Sequence, residues 1–566
     1  MDYSLLPKDN AVLSAVISRT ENGKIHVLVD NHRKRFGKHT NWQIEEAFSD
    51  TLIDGPSLGE NLSGTVKSRH SKTISLVKDA SSPSTAADPA NIQSQQSNFP
   101  IYNGRPDKFR GPPITIYNEA FARLKDDIDN LGDIIPTSTE LEITFDLFKE
   151  AVKFYSVEPE RTKVMFKLLE QFFDCPIRKE IRTLNSIGDG VIETETNASG
   201  WFAAIAWFEL KNEIGSKGDA QYQAVCTYRK HVASDMYAKI RASTCCPCLI
   251  VSFMGPFMSI QGAIFIDAPV VQPFTEFFFL GGDPDYELRV LKIARILHAT
   301  KNAIACIRRH YQQVELSATV NPEALLPCPV VIERPNPFPR IAFMDRLFKT
   351  SMVQPLYTGT MNGKNVIIKF TRRYCEGAHR LLAQNGLAPQ LHLCVPVLGG
   401  YLMVVMDYVP GETSDMFLLR GPFTTDILSD IRKAMELLHR EGYVFGDLRL
   451  RNILIVRKMQ ADADQPKPNG ANKLAHGPDY PAATNDKYAN RQFGAVLVDF
   501  DWCGRDSEAR YPPTLNDTGD IDWAPGVERF GLMKKEHDEY LLRKLISHES
   551  SMVLDSVRGT VHALGV

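Results

Sequence analysis

One short segment constrains the fold more than any other: a polar stretch between a predicted helix and a predicted strand. Residues 425–440 predict an amphipathic helix, because their apolar side chains recur at helical spacing and Gly442 follows as a C-cap. Asp447 and Asn452 come next, five residues apart, and an apolar run that starts at Ile453 follows them directly. The C-terminal part of the chain therefore presents a carboxylate and an amide together just before a strand.

Two further polar residues belong to apolar runs on either side of that segment. Lys369 lies in the strand-like run 366–370, where buried neighbours would direct its amine into a cleft, and Asp499 ends the apolar run 495–498. Phosphoryl transfer needs a cation on the nucleotide phosphates, ligands for magnesium and a carboxylate near the attacking hydroxyl. The C-terminal half of the chain supplies candidates for all three groups.

These candidates predict a division of roles. Asp447 would accept the proton of the attacking hydroxyl, and Lys369 would hold the phosphates. Asn452 and Asp499 would bind magnesium, and Glu376, in the helix predicted to follow Lys369, would orient that lysine. The cofactors expected are ATP and Mg²⁺, and the acceptor expected is a protein hydroxyl.

The pattern resembles the catalytic set of protein kinases. Asp447 and Asn452 have the spacing of the kinase catalytic loop, and Asp499-Phe-Asp501 resembles the magnesium-binding Asp-Phe-Gly, with Asp in place of Gly. Gly446 before the catalytic Asp resembles the aminoglycoside phosphotransferase-like group. Residues 356–363 stand where a glycine-rich loop belongs but lack the G-x-G-x-x-G pattern.

The end of the chain also resembles a large group of fungal protein-kinase-like proteins. The motifs that carry this resemblance are Asp499-Phe-Asp-Trp502, Arg510-Tyr511-Pro512, Trp523-Ala-Pro-Gly526 and Glu536-His537-Asp538. The resemblance covers about residues 341–550 and implies a bilobal protein-kinase-like fold that binds ATP and magnesium, with Asp538 supporting the catalytic loop. The composition of residues 457–492 predicts a disordered insertion in this domain.

A second polar pattern lies near the middle of the chain. Asp189 and Glu209 are expected side by side on two strands of a hairpin, so that both carboxylates bind one divalent cation. Alternation along the second strand puts Lys211 on the same face as Glu209, where it could position or activate water for attack on a phosphodiester. A helix predicted from Asp219 onward offers Gln223 as a further polar group.

This second pattern resembles the PD-(D/E)XK nuclease core, with Gly188 in place of the signature proline. The string Glu209-Leu-Lys-Asn-Glu213-Ile-Gly215 also resembles the nuclease-like domain of crinkler-type proteins, in which nuclease and kinase-like domains can share a chain. The resemblance covers about residues 140–310. It implies that residues 111–315 form a nuclease-like α/β domain with nucleic acid as its partner.

Length and composition predict an α+β chain of several domains, because 566 residues exceed what one hydrophobic core usually serves. Few large apolar residues occur from about position 61 to position 100, which predicts a linker and a partly disordered N-terminus. The predicted organisation is an unassigned segment 1–60, a low-complexity linker 61–110, a helical lead-in with the nuclease-like domain 111–315, a Pro-rich linker 316–340 and the kinase-like domain 341–566.

Charge and cysteine usage limit the surroundings and partners of the chain. A formal net charge of -3 predicts neither a nucleic-acid nor a membrane partner by itself, and no apolar run is long enough to cross a membrane. Ten cysteines without a signal peptide predict an intracellular protein of the cytoplasm or nucleus. Three functions remain open: a protein kinase, a metal-dependent nuclease with a regulatory or inactive kinase-like domain, and a recognition protein with no catalysis.

Overall fold

The chain divides into two units, residues 1–56 and residues 57–566. The computed structural model describes residues 15–19, 25–29, 62–179, 188–215, 218–347, 354–457, 493–516 and 521–547. In the first unit, β1 (Ala15–Arg19) and β2 (Ile25–Val29) pair antiparallel, with Ala15 opposite Val29. This hairpin lies in the segment that the sequence left unassigned. Nearly all of the predicted insertion 457–492 lies outside the described residues.

The second unit begins with helices and continues into a sheet. The helices up to residue 313 are α1 (Leu62–Lys78), α2 (Pro83–Ala86), α3 (Pro89–Asn98), α4 (Glu119–Asp129), α5 (Ser138–Ala151), α6 (Glu158–Phe173), α7 (Ala220–Ala233), α8 (Ala238–Ser243) and α9 (Tyr286–Gln313). The strands are β3 (Gly190–Glu195), β4 (Phe202–Lys211), β5 (Cys248–Met254), β6 (Phe257–Phe265), β7 (Pro269–Pro273) and β8 (Phe278–Phe279).

The segment predicted as a linker, residues 61–110, differs most from the sequence-based expectation. Its helices α1 and α2 pack against α7. Ala86 and Ala87 are fully buried, since small side chains allow α2 to approach α7 closely. Gln96 is also buried, and its Nε2 donates a hydrogen bond to the Ile101 carbonyl at 2.6 Å. The segment is therefore ordered by close packing of small residues and by satisfied amides, which a count of large apolar residues does not detect.

The sheet of this region has the strand order β3-β4-β5-β6-β7, with β8 beside β6. Only β4 and β5 pair in parallel, and α7 makes the crossover between them. Both faces of β4 are covered. Phe208 contacts the Phe166 ring of α6 on one face, and Trp207 contacts the His231 ring of α7 on the other. Because side chains alternate along a strand, Glu209 and Lys211 share the α7 face with Trp207.

The C-terminal part holds a smaller sheet and a mainly helical region. The strands are β9 (Ile341–Arg346), β10 (Leu356–Met361), β11 (Lys364–Thr371), β12 (Leu391–Val397), β13 (Tyr401–Asp407), β14 (Gly411–Thr413), β15 (Tyr443–Val444), β16 (Ile453–Arg457), β17 (Phe493–Leu497) and β18 (Gly504–Arg505). The helices are α10 (Glu376–Gln384), α11 (Ser414–Leu418), α12 (Thr425–Arg440) and a last helix over 535–547. The prediction of a mixed α+β chain is confirmed.

The five-stranded sheet has the order β12-β13-β11-β10-β9, and all its neighbouring strands are antiparallel. Helix α10 follows β11 in the chain and precedes β12. Helices α10 and α12 share a second hydrophobic core with β16 and β17. Strand β16 pairs with β14 and β17, and β15 pairs with β18.

The five-stranded sheet shares a hydrophobic core with the larger sheet, and the segment between the two sheets packs against β12. Val366 and Ile368 of β11 belong to the same buried cluster as Phe208 and other residues of the larger sheet. In the predicted linker 316–340, the Ile332 amide donates to a carbonyl of β12 at 3.0 Å. None of the helices in the described part of the chain combines the length and apolar character that crossing a membrane requires.

Candidate active sites

The first candidate site is centred on the ammonium group of Lys369. On β11, Val366 and Ile368 point into the shared core, so the alternation of the strand turns Lys369 to the opposite face. Its Nζ lies 2.7 Å from Asp499 Oδ1 and 2.8 Å from Asp501 Oδ1. Lys369 and Asp499, 130 positions apart, are therefore in direct contact between the five-stranded sheet and the helical region.

The charges of this ion-pair cluster stabilise one another. Burial lowers the pKa of Lys369, but the two carboxylates outweigh burial and raise it above its usual value. Burial raises the pKa of Asp499, yet the ammonium of Lys369 outweighs this and lowers it. Asp501, which also accepts a hydrogen bond from Thr371 at 3.0 Å, has its pKa raised to about 6, chiefly by burial. At neutral pH the cluster is thus a lysine ammonium between two carboxylates.

Asp447 and Asn452 are hydrogen-bonded to each other in the loop between β15 and β16. The Asn452 Nδ2 donates to Asp447 Oδ2 and to the Asp447 carbonyl, both at 2.9 Å. These bonds use the nitrogen of the amide and leave its oxygen as the atom that could bind a cation. Burial raises the pKa of Asp447, and the negative charge of Asp499 acts in the same direction. The two carboxylates are therefore electrostatically coupled.

Arg449 is a member of this site that the sequence analysis missed. Its Nη2 lies 2.6 Å from Asp447 Oδ2, and its Nε donates to the other carboxylate oxygen. Its guanidinium carbon lies 5.5 Å from the ring centre of Trp502 and 5.9 Å from that of Trp523. The available signal was a cationic residue two positions after the proposed base.

The loop that carries Asp447 is fixed by Asp538 of the last helix. The fully buried Asp538 carboxylate accepts hydrogen bonds from the Phe445 amide at 2.7 Å and the Gly446 amide at 2.8 Å. Gly446 has a φ of +76°, a conformation that side chains with a Cβ rarely adopt. A bond from His439 at 3.1 Å completes the set of contacts. These contacts are the ones that the supporting role predicted for Asp538 requires.

The structure differs from two predictions for this site, those for Glu376 and for residues 356–363. Glu376 makes no described contact with Lys369; its Oε1 instead accepts a hydrogen bond from Arg380 at 2.7 Å, one helical turn later. Residues 356–363, expected as the glycine-rich loop, form β10 and a tight turn into β11, with positive φ at Asn362 and Gly363. The connection between β9 and β10 contains residues 348–353, which lie outside the described part of the chain.

The second candidate site is a row of polar side chains across the larger sheet. The strand register places Glu209 beside Ser252, and Ser252 beside Ser259. Gly190 pairs with Phe208, so Asp189 comes next to Glu209 at the end of the row. The predicted neighbouring positions of Asp189 and Glu209 are therefore present in the structure.

Burial dominates the chemistry of this row. Glu209 is only 1% exposed, and burial, reinforced by the negative charge of Asp189, raises its pKa to about 8. Lys211 Nζ lies 2.8 Å from Glu209 Oε1, while Glu209 Oε2 and Ser252 Oγ have no hydrogen-bond partner among the described residues. Asp189 Oδ2 accepts from the Leu210 amide at 2.7 Å, and burial raises the pKa of Asp189.

Helices α6 and α7 add further groups around the row. Glu158, the first residue of α6, has its Oε1 4.0 Å from Lys211 Nζ and was missed by the sequence analysis. Gln221 of α7 reaches the row directly, since its Nε2 donates to Ser259 Oγ at 2.6 Å. Gln223 is buried on the same helix, but no described hydrogen bond joins its side chain to Asp189 or Glu209. Of these two glutamines, Gln221 is the one that is hydrogen-bonded to the row.

The donor atoms of both sites suit hard divalent cations. Within the described ranges, no group of three or more His, Cys, Asp or Glu side chains is arranged to hold a metal ion. Each site instead offers two oxygen ligands. These are Asp499 and the amide oxygen of Asn452 in the first site, and Asp189 and Glu209 in the second. Oxygen donors of this kind fit magnesium, which usually keeps several waters or phosphate oxygens as its remaining ligands.

Comparisons with known proteins add little to this geometry. No protein-family model and no curated protein matches the chain. Among solved structures, the chain matches the Cydia pomonella granulovirus kinase PK-1 at 17% identity with a TM-score of 0.24; the match covers 36% of this chain and 65% of the viral kinase. A likeness this slight carries no functional conclusion, and the resemblances to fungal kinase-like and crinkler-type proteins stay predictions.

Proposed function

We propose that residues 341–547 transfer the γ-phosphoryl group of ATP to a hydroxyl group, with a protein as the acceptor. The observation that carries this proposal is the contact between Lys369 and Asp499 at 2.7 Å. The Val498 amide, next to Asp499, donates to the Asn452 carbonyl at 2.9 Å, and Asn452 is hydrogen-bonded to Asp447. Four residues from three distant segments of the chain would thereby supply a cation, a base and two oxygen ligands. Phosphoryl transfer depends mainly on positioning and charge stabilisation, for which such a set is sufficient.

The surrounding fold supports the same proposal. Lys369 lies on the third strand of the small sheet, counted from β9, and α10 follows that strand, as in a bilobal kinase fold. Asp447 and Asn452 follow α12, and Asp499 lies just after β17. The order and the secondary-structure context of the motifs agree, which is the requirement for taking a motif match seriously.

The chain's own residues divide the work as follows. Lys369 supplies positive charge for the nucleotide phosphates, and Asp447 takes the proton of the attacking hydroxyl. Arg449 and Asn452 hold the Asp447 carboxylate in place, at 2.6 Å and 2.9 Å. Asn452 and Asp499 would hold magnesium, which neutralises phosphate charge when bound.

Thermal unfolding of the full chain with and without ATP and magnesium tests nucleotide binding. A ligand that binds only the native state raises the midpoint of unfolding. We expect a magnesium-dependent rise for the wild type, a smaller one for Asp499→Asn, and an undiminished one for Glu376→Gln, whose carboxylate pairs with Arg380 instead. The proposal is wrong if millimolar ATP with magnesium leaves the wild-type midpoint unchanged.

A second candidate function, metal-dependent cleavage of a phosphodiester, is favoured by one observation in the larger sheet. Glu209 Oε2 is a buried carboxylate oxygen with no hydrogen-bond partner in the described part of the chain, next to Asp189 and Lys211. A buried carboxylate without a partner is costly, and a divalent cation would satisfy it. Lys211 would then orient or activate water, while the metal stabilises negative charge.

Incubation with plasmid DNA and manganese tests this second function. We expect the wild type to nick the plasmid and Lys211→Met to lose that activity, whereas Lys239→Met, at an exposed lysine of α8, should retain it. Circular dichroism checks that both variants fold. Equal cleavage by the wild type and Lys211→Met contradicts the nuclease function, and inactivity in both assays favours the recognition protein.

A further inference from the structure

Asp501 bridges two side chains on one face of β11. Its Oδ1 lies 2.8 Å from Lys369 Nζ, and its Oδ2 accepts a hydrogen bond from Thr371 Oγ1 at 3.0 Å. Lys369 and Thr371 are two positions apart, and side chains with that spacing lie on the same face of a strand. Both carboxylate oxygens of Asp501 are therefore engaged by the strand that carries Lys369.

The backbone that carries Asp501 is held in place by α10. The Phe500 carbonyl accepts a hydrogen bond from the Cys375 amide at 3.2 Å. The Phe500 ring is fully buried and stacks on the His379 ring of α10, with the ring centroids 4.5 Å apart and an interplanar angle of 8°. The His379 Nε2 in turn lies 2.8 Å from the Pro389 carbonyl oxygen. Asp501 thus reaches Lys369 from a backbone that other contacts already fix.

The carboxylate predicted to orient Lys369 has a different partner. Glu376 pairs with Arg380 at 2.7 Å, and its side chain is 44% exposed, whereas that of Lys369 is 14% exposed. A buried ammonium depends on its carboxylate partners more than an exposed one does, because it has lost its water. The carboxylates in contact with Lys369 are those of Asp499 and Asp501.

These two carboxylates have different tasks in the proposed function. Asp499 is the magnesium ligand there, so Lys369 and the cation have to share its carboxylate. We propose that Asp501 is the residue that positions Lys369 for the nucleotide phosphates, in the role that the sequence predicted for Glu376. This inference rests on the proposed function. It makes Asp501 a positioning residue, because Asp501 acts through the lysine and not on the phosphates themselves.

A double-mutant cycle on urea unfolding of the full chain, without nucleotide or metal, tests the contact independently of activity. Asp501→Asn should shift the urea midpoint further downward in the wild type than in Lys369→Met, where the ammonium that pairs with Asp501 is already gone. Glu376→Gln should shift the midpoint equally in both backgrounds, since its hydrogen-bonded partner is Arg380.

Calorimetric titration of the full chain with ATP and magnesium tests the positioning role. Asp501→Asn should weaken ATP binding by about tenfold, the size of effect expected for one hydrogen bond to a charged group. Thr371→Val removes the hydroxyl that holds Asp501 Oδ2 and should weaken binding by a smaller factor. Glu376→Gln should bind ATP as the wild type does. At saturating ATP, the magnesium concentration for half-maximal binding should stay unchanged in Asp501→Asn and rise in Asp499→Asn.

The results separate this inference from the function on which it rests. If the wild type binds ATP with magnesium, and Glu376→Gln weakens that binding while Asp501→Asn does not, the inference is overturned and the proposed function stands. Independent effects of Asp501→Asn and Lys369→Met in the cycle also overturn it. So does a higher magnesium requirement in Asp501→Asn, which would make Asp501 a metal ligand. A wild type that binds no ATP overturns the proposed function and the positioning role together.

Discussion

At the scale of single residues, Arg449 is the side chain with the most testable role. It pairs with both oxygens of the Asp447 carboxylate and lowers a pKa that burial raises. In Arg449→Met that opposing charge is gone, so the pKa of Asp447 should rise and less of the base should be ionised at neutral pH. Phosphoryl transfer at pH 7 should fall by at least about tenfold, and the acid limb of kcat against pH should move to higher pH.

Arg451 provides the matched control for this prediction. It lies in the same loop, its side chain is 86% exposed, and its nearest described carboxylate is that of Asp415 at 3.6 Å. Arg451→Met should therefore leave both the rate and the acid limb unchanged. An acid limb that stays in place in Arg449→Met would show that Arg449 does not tune Asp447.

Single residues were predictable where a local pattern fixes them. The alternation around Lys369 predicted that its amine points into a cleft, and in the structure that amine contacts the carboxylate of Asp499. The partner of Glu376 was not predictable, because a residue one turn later on the same helix competes for it, and Arg380 is that residue. The contact of Arg449 with Asp447 needs the folded loop and has no periodicity to indicate it.

At the scale of elements, the ordered segment before residue 100 makes the clearest prediction. The Ala87 carbonyl accepts a hydrogen bond from the Asp219 amide at the start of α7, at 3.2 Å, and Ala86 is fully buried. Ala86→Leu should therefore overpack the contact between α2 and α7. We expect it to lower the free energy of unfolding by about 1–3 kcal/mol in urea titrations.

Ala90→Leu, on the exposed start of α3, is the control for that substitution. It adds the same side chain without burying it and should change the free energy of unfolding by less than about 0.5 kcal/mol. If Ala86→Leu is as harmless as Ala90→Leu, residues 61–110 behave as the linker that their composition suggested.

Elements with strong periodicity were predictable, and those ordered by tertiary contacts were not. The predicted helix 425–440 coincides with α12, where seven residues on the apolar side are buried. Helix α5 lies in the region predicted as a helical lead-in, and its Phe145 is 44% exposed. Helices α1, α2 and α3 depend on the surface of α7, which no local pattern reports.

At the scale of the whole molecule, buried histidines predict loss of stability in mild acid. Burial lowers the pKa of His231 to about 3 and those of His310 and His379 to about 4, from an ordinary 6.5. Between pH 4 and 6.5 these histidines bind protons in the unfolded chain but stay neutral in the folded protein. Stability is therefore fully present above pH 6.5 and falls as pH drops, by about 1.4 kcal/mol per pH unit for each histidine.

Urea titrations at pH 7 and pH 5 measure this slope. His231→Phe is the informative variant, since both ring nitrogens of His231 lack a hydrogen-bond partner among the described residues and the ring contacts Trp207 and Tyr237. The variant should lose less stability than the wild type between the two pH values. If the variant and the wild type lose the same stability between the two pH values, His231 binds a proton as readily in the folded protein as in the unfolded chain.

The central claim is that Lys369, Asp447, Asn452 and Asp499 form one nucleotide site, and an acyl-phosphate derivative of ATP tests it most directly. The amine of a lysine beside the bound phosphates attacks the acyl carbon and keeps the acyl group. Peptide mass spectrometry then identifies the acylated lysine. The account predicts that Lys369 is labelled, that exposed Lys364 on the same strand is not, and that ATP with magnesium blocks the reaction. Absence of label on Lys369, or label that ATP does not displace, would contradict it.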